Sequence, residues 1–384
     1  MKVVSIQRAG EEDAKKLRPV CCCPPPSSPE KPPCCGPPAT TRGGKIDETV
    51  PGFQEWLTTG AGPVPRISSQ ILLSDRVGAW KVRWGIGRMG YIVPPGLYAV
   101  GRPSPDAPVL VTANYKMSFD RVRKAMAGRD AWVLVLETFG INVWCAAGKG
   151  TFGTEELIGR IQATGLSKVV NHRKLLLPIL GAPGVAAHEV AKRTGFSIVY
   201  ATIRAEDLPS YLENGMTASP AMRRLTFSLW ERAVLVPVEL VHAAKFTGLA
   251  VLCLFVIGTI LGGFGAGIKA GIALLGAVLC GIVLGPLLLP WLPGRSFACK
   301  GAMIGLAWST ILYLFAGGNA WGAAMAVAVF LTLPSVSAFH TLNFTGCTPF
   351  TSRSGVKKEL RIAVPIMGAA LGCSILLVLV SRFL

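Results

Sequence analysis

Five apolar stretches in the C-terminal part of this chain constrain its architecture more than any other feature. They run roughly over residues 246–264, 270–289, 301–316, 321–339 and 362–380. Each is close to or above the length needed to cross a bilayer as a helix. From Phe246 onward the chain holds eight Lys/Arg and a single acid, Glu359, whereas thirty-one Lys/Arg and twenty acids precede it. The sequence therefore reads as a water-exposed part followed by a membrane part. Connections expected on the side of the first part carry Arg295, Lys300, Arg353, Lys357, Lys358 and Arg361, while the opposite side carries Lys269 and Arg382. Six basic residues against two orient the first part toward the cytoplasm. Within the spans themselves Asp, Glu, Lys and Arg occur only at the edges. An ion-coupled transporter needs such groups inside the membrane, so an anchor or docking platform is the better reading. The connection over residues 341–361 is expected to be a long cytoplasmic loop.

A net charge of +18 raises the question of nucleic acid. The basic residues are scattered, with no Lys/Arg-rich block and no aromatic RNA-binding motif beside them, so nucleic acid is not an expected partner. A basic excess also suits a protein lying against an anionic lipid bilayer. Met1 to Arg18 is charged and lacks the apolar core of a secretory signal, which places the eleven cysteines in a reducing compartment. They show no C-x-x-C zinc spacing.

Three regions follow. Residues 1–50 contain Cys21, Cys22, Cys23, Cys34 and Cys35 among many prolines and read as a disordered tail. Residues 51–244 read as an α/β domain, and residues 245–384 as an all-α transmembrane domain of five helices. In the middle region, 97–100, 109–111, 132–136, 168–170, 174–177 and 198–201 are expected strands, the third a continuous apolar run. Helices are expected over 118–126, over 155–161 behind a Thr154 cap, and over 185–193 with Gly195 as the stop. This alternation implies a mostly parallel, Rossmann-like sheet with helices on both faces.

Two nucleotide motifs fail. Gly85, Gly87 and Gly90 fit G-x-G-x-x-G, but Pro94 and Pro95 follow almost at once and no plain strand precedes them. Gly148-Lys149 lacks the first glycine and the Ser/Thr of a P-loop. His172, His188, His242 and His340 form no H-E-x-x-H pattern.

The informative stretch is 142–154, NVWCAAGKGTFGT. Asn142 can cap a very short helix and Gly148 can end it. Cys145 then stands on a single helical turn just past the carboxyl end of a strand, where open α/β sheets bind ligands. Small Ala146 and Ala147 beside Trp144 are expected to let a flat ring approach. A buried structural cysteine fits the residue type equally well.

Residues 142–149 resemble the cap-helix motif of the mercury-methylating corrinoid proteins. The resemblance continues through VLVTANYK (109–116), HRKLLLPILGAPGVAAH (172–188), RAEDLP (204–209) and NFTGCTPFTSRSGVKKE (343–359). The cysteine-rich tail and Ile179, where Gln is usual, depart from that pattern. The resemblance implies a Rossmann-like corrinoid-binding domain, akin to that of the corrinoid iron–sulfur protein, joined to five membrane helices in the cytoplasmic (inner) membrane. It implies cobalamin or a related corrinoid as cofactor, with Cys145 as the lower ligand of its cobalt. Asn142, Val143, Trp144, Ala146, Ala147, Gly148 and Lys149 complete the cap helix below the corrin. It also implies methyl transfer to Hg(II), a ferredoxin-like iron–sulfur partner as reductant, and a methyl donor protein or cofactor. A thiolate is a soft, electron-rich ligand, and by analogy with haem it pushes electron density toward the opposite face of the metal. Further expected contacts are Thr112 and Asn114 at the ligand rim and Thr151 and Thr154 toward the corrin amides. The turn Gly181, Ala182, Gly184 and Val185 is expected to lie near a nucleotide tail. Ordinary turn and capping chemistry accounts for each of these equally well. A methyl carrier serving another acceptor in one-carbon metabolism, and a permease with a cytoplasmic domain, are the competing readings.

Overall fold

A computed structural model describes residues 46–348, 351 and 353–380. All but the last five residues of the Cys/Pro-rich tail lie outside these. The chain separates into two compact units. The first comprises the described residues up to Val82 together with Gly87–Arg224, and the second Arg83–Ile86 together with Leu225 onward.

The first unit is built on a seven-stranded mixed sheet. Its strands are β1 (Phe53–Thr59), β2 (Gly62–Ile67), β3 (Gly96–Val100), β4 (Val109–Ala113), β5 (Ala131–Leu136), β6 (Lys174–Leu177) and β7 (Ser197–Tyr200). Their order is β1-β2-β3-β5-β4-β6-β7. The run β5-β4-β6-β7 is parallel, with Val111 opposite Leu134 and Leu177 opposite Tyr200. β3 lies antiparallel to β5 and β1 antiparallel to β2, so the sheet is less uniformly parallel than expected. Strands β3, β4 and β5 are buried at every position, which is what apolar runs covered on both faces require.

Six helices serve this sheet: α1 (Leu73–Arg83), α2 (Lys116–Ala125), α3 (Val143–Lys149), α4 (Thr154–Ala163), α5 (Ala187–Thr194) and α6 (Leu208–Glu213). Val143, Ala146 and Ala147 of α3, Leu157 and Ile161 of α4 and Val190 of α5 join one core with Leu134 and Leu136. Phe119 and Val122 of α2 and Tyr211 of α6 join the other with Val133 and Val135. Helices thus cover both faces, as the alternation of elements implied.

Two local expectations are corrected. Residues 168–170 form no strand. Gly165, with φ +58°, turns the chain into a 3-10 turn at Leu166–Lys168, and the next strand begins only at Lys174. Thr154 is not the cap of α4 but its first residue, with Gly153 in the cap position. The β1–β2 hairpin and α1 were absent from the sequence reading. Pro63 and Pro65 sit in β2, and proline argues against a strand unless it lies near an edge, as here.

The second unit contains α7 (Leu229–Ala233), α8 (Val236–Gly262), α9 (Phe264–Leu279), α10 (Gly285–Leu288), α11 (Phe297–Phe315), α12 (Ala323–Asn343) and α13 (Arg353–Val380). A π-helical turn, Cys280–Leu284, joins α9 to α10. Among the described residues, five helices are long and apolar enough to cross a membrane: Leu229–Gly262, Phe264–Leu288, Phe297–Phe315, Ala323–Asn343 and Ser354–Val380. Glycines set their closest approaches. A Cβ on Gly281 would lie 2.5 Å from the Ser337 carbonyl, and one on Gly305 2.6 Å from Pro334 Cα, both on α12. Such small-residue faces let helix backbones approach closely. The Thr341 hydroxyl donates to the Gly281 carbonyl at 3.0 Å across the same contact.

The expected domain boundary at 244/245 falls inside α8, because Glu239, His242 and Lys245 occupy the opening turns of a helix that continues into apolar sequence. The long loop expected over 341–361 is mostly helical. α12 runs to Asn343, a 3-10 turn occupies Phe344–Cys347, and α13 starts at Arg353. Polar residues in that stretch gave the impression of a loop, but Thr345 is buried and its hydroxyl donates to the Leu342 carbonyl at 2.7 Å.

Candidate cofactor site at the carboxyl ends of the parallel strands

The strand β5 ends at Leu136, and residues 137–142 carry the chain over the sheet rim into α3. Asn142 has extended backbone, and its side-chain oxygen accepts from the Cys145 amide at 2.9 Å. This is an N-cap as the sequence predicted, and it satisfies one of the helix's free N–H groups. The helix ends later than expected. Gly148 lies inside it, and Gly150, with φ +82°, provides the left-handed stop.

Within this helix the side chains divide sharply. Val143, Ala146 and Ala147 are buried against the core, while Trp144, Cys145 and Lys149 are exposed and Gly148 is half-buried. The alanines therefore seat the helix on the sheet; they do not open space for a ring. Cys145 is exposed, which removes the buried structural cysteine as its description.

Asn114, just past β4, organises the loop that delivers α3. Its Oδ1 accepts from the Thr138 amide at 3.1 Å, the Thr138 hydroxyl at 2.8 Å and the Gly140 amide at 3.2 Å. Its Nδ2 donates to Glu137 Oε1 at 2.6 Å. Glu137 Oε1 also accepts from the Phe139 amide at 2.8 Å, which helps hold Phe139 at φ +55°. Asn114, Glu137 and Thr138 are all buried, and Glu137 Oε2 is buried with no hydrogen-bond partner among the described residues. Glu137 and Thr138 were not among the residues picked from sequence. The only signal was their place directly after a buried strand run, which does not reveal a partner on β4.

The remaining expected site residues lie nearby in different roles. Thr112 is buried within β4, opposite Val135. Thr151 is half-buried, its hydroxyl 3.4 Å from the Ala146 carbonyl. Thr154 accepts from the Ala186 amide at 2.8 Å, tying α4 to the start of α5. Gly181, Ala182 and Gly184 form a 3-10 turn after β6. A Cβ on Gly181 would lie 2.6 Å from the Phe152 ring, and one on Gly184 would collide with the Phe152 carbonyl and crowd Ala147. Val185 is buried, and its carbonyl accepts from the Tyr200 hydroxyl at 2.9 Å. The turn thus supports α3 from behind, bringing 142–154 and 181–185 together at one rim.

Among the described residues no group of three or more His, Cys, Asp or Glu side chains could hold a metal ion. A lone exposed thiol can nonetheless complete the coordination of a metal whose other positions are filled by a macrocycle. The residues present fit such a group: a soft donor on a rigid, capped turn, facing outward between Trp144 and Lys149. The second unit has a cavity of about 690 Å³. Its lining is overwhelmingly apolar, with Glu239, His242 and His340 among the few polar groups.

Residues 88–210 match the family described as CO dehydrogenase/acetyl-CoA synthase delta subunit. This stretch takes in β3 to β7 and the whole Cys145 rim. The chain is also similar to acetyl-CoA decarbonylase/synthase complex subunit gamma from several archaea. Identity is 33% over 123 residues with the Methanopyrus kandleri protein, covering 32% of this chain and 26% of that one. It is 30% over 124 residues with the Methanocaldococcus jannaschii protein, covering 32% and 25%. It is 32% over 123 residues with the Archaeoglobus fulgidus protein, covering 32% and 26%. The chain thus spans about a quarter of the curated relatives it matches.

Proposed function

We propose that this chain is a membrane-bound corrinoid protein that passes a methyl group to an acceptor, with Cys145 as the lower ligand of the cobalt. The observation that carries this reading is the exposed thiol on a capped turn beyond the carboxyl ends of the sheet's parallel strands. A bound corrinoid supplies the methyl-carrying chemistry; the protein supplies position and electronics. Asn142 fixes the first turn of α3, so that the Cys145 sulfur is presented without rearrangement. The Asn114–Glu137–Thr138 network holds the preceding loop, and Ala146 and Ala147 seat the helix on the core. Trp144 and Lys149 flank the thiol as the exposed surface on which a macrocycle would rest.

The similarity to subunits of acetyl-CoA decarbonylase/synthase supports an acceptor in one-carbon metabolism. A second reading, Hg(II) as acceptor, rests on Cys145 itself. As a soft, electron-rich ligand, the Cys145 thiolate would enrich the electron density of a bound cobalt, which would suit methyl delivery to a soft electrophile. In both readings a ferredoxin-like protein serves as reductant and a separate protein or cofactor supplies the methyl group. The five apolar helices and the basic bias of their connections support a multi-pass protein of the inner membrane, with the first unit in the cytoplasm.

The test is the absorbance spectrum of the purified full-length protein with bound corrinoid, beside that of Cys145→Ala. The variant is expected to keep its fold, since surface substitutions change stability by about 0.5 kcal/mol or less, and to lose the thiolate-ligand spectrum and methyl transfer. A wild-type spectrum in the variant overturns the ligand assignment. Assaying the methylated protein against Hg(II) and against a thiol then separates the two acceptors.

A further inference from the structure

The second unit keeps two cations out of water at one end of its helices. Arg232, on α7, is 2% exposed, and Lys300, in the opening turns of α11, is 8% exposed. Both meet the short stretch of chain that follows α10. The Arg232 guanidinium lies over the Trp291 ring, 5.4 Å from its centroid, and Lys300 Nζ donates to the Leu289 carbonyl at 2.6 Å. Among the described residues neither cation forms an ion pair. Arg232 Nε and Nη1 are buried with no hydrogen-bond partner among them. Two acids of this unit hold helix ends instead. Glu231 accepts from the Ser228 amide at 2.6 Å and the Thr226 hydroxyl at 3.0 Å. Glu359 accepts from the Ser296 hydroxyl at 2.7 Å and the Ala298 amide at 2.9 Å.

A neutral carbonyl and a ring face do not offset the desolvation of two charges, which costs several kcal/mol each unless an anion accompanies them. Their position says which anion. Arg232 lies in the first turn of the first apolar span, Leu289–Trp291 directly follows the second, and Lys300 lies in the opening turns of the third. The start of one span, the end of the next and the start of the third fall on one side of a bilayer. Trp230 and Trp291, 71% and 67% exposed, stand at the same level, as aromatic residues do in the headgroup layer. Arg295, in the connection after the second span, adds an exposed positive charge. A guanidinium fork matches two phosphate oxygens, and an ammonium beside it serves as a point charge. Basic pockets between membrane helices take anionic headgroups in this way.

We propose that Arg232 and Lys300 form a binding site for the phosphate of an anionic phospholipid headgroup, reached when the exposed Trp291 ring tilts off the guanidinium. The proposal rests on the membrane reading of the second unit, and its test keeps the two apart. The full-length protein is purified in neutral detergent and given phosphatidylglycerol, phosphatidylcholine or inorganic phosphate. Arg232→Met/Lys300→Met is treated alongside it, and Arg295→Gln serves as the control for general surface attraction. Native mass spectrometry reads the retained lipid, and the melting temperature reads stability.

The parent and Arg295→Gln are expected to retain phosphatidylglycerol about tenfold more than the double variant, which has lost the charge-assisted hydrogen bonds. Phosphatidylglycerol is expected to raise the melting temperature of the parent by binding its folded state, and to leave that of the double variant unchanged. In phosphatidylcholine the double variant is expected to melt at or above the parent, since two uncompensated buried charges are gone. Equal retention of the two lipids by the parent overturns the site without recourse to any variant. A loss in Arg295→Gln that matches the double variant overturns it as well. Protection by inorganic phosphate as complete as by phosphatidylglycerol overturns the lipid as its source. A parent that stays soluble without detergent and retains neither lipid overturns the membrane reading together with the site.

Discussion

Asn114 accepts three hydrogen bonds and donates a fourth without exposing any surface. Asn114→Ala leaves the buried Thr138 and Gly140 amides and Glu137 Oε1 short of partners, at a cost of about 1–3 kcal/mol for each group left unsatisfied. The expected result is a folded but less stable protein. Its Thr138 and Gly140 amides exchange hydrogen faster than in the parent, and its affinity for corrinoid is reduced. Unchanged exchange at those two amides would show that the loop is held by other means. Asn114→Asp is expected to be no rescue, because it removes the donor to Glu137 and sets two carboxyls against each other. The Asn142 cap was legible in sequence because capping is local, a side chain reaching three residues ahead. The Asn114 network was legible only as a rim position, since its partners lie 23 to 26 residues away. Which residues of α3 face solvent depends on the sheet beneath it, so the burial of Ala146 and Ala147 was not legible in the local sequence.

At the scale of elements, α1 and α2 are joined by a closed ring of buried charges. Lys116 donates to Asp75 and Asp120 at 2.6 Å each, while Arg123 donates to Asp120 at 2.8 Å and Asp75 at 2.7 Å. Arg123 also caps the carbonyls of Ser68 and Gln70 at 2.8 and 2.7 Å. Burial pushes the Asp75 carboxyl up, but hydrogen bonds from Lys116, the Leu72 amide and Arg123 outweigh it and leave Asp75 below its ordinary value. A carboxyl depressed in the folded state contributes stability that is present above its unfolded value and is lost as pH falls through the folded one. Burial pulls Lys116 down, but Asp120 and Asp75 outweigh that and hold it above its ordinary value. Its contribution is present below the unfolded lysine value and is lost as pH rises through the folded one. The ring is therefore expected to be intact from about pH 4 to about pH 10. Asp75→Asn breaks one corner and leaves Lys116 and Arg123 undercompensated, at a cost of about 3–5 kcal/mol. Melting followed from pH 7 down to pH 3 is expected to show a steeper loss in the parent than in the variant. Parallel curves would mean that Asp75 does not titrate with folding. Sequence gave no hint of this ring, because its members come from two helices 41 to 48 residues apart and each looks like an ordinary surface charge.

For the whole molecule, the question is where one folding unit stops. The membrane-apt helices were readable from composition, because a span needs some twenty apolar residues regardless of its neighbours. The order of strands was not, because it depends on pairings such as β3 with β5 that cross over β4. Among the described residues, both cores of the first unit draw their members from between Ile46 and Met222. A segment comprising residues 46–224 therefore has every apolar contact it needs, with the sheet covered on both faces. Extending it into α7 and α8 adds Leu229 and Trp230, 51% and 71% exposed, and apolar surface of that kind promotes association. The 46–224 segment is expected to fold as a soluble monomer and to take up cobalamin through Cys145. A segment ending at Val241 is expected to aggregate or to require detergent. Size-exclusion chromatography with simultaneous absorbance at the corrinoid bands reads both properties in one run. A monomer that elutes free of corrinoid would count against Cys145 as the ligand while leaving the boundary intact. Aggregation of the shorter segment would instead show that the second unit contributes to the stability of the first.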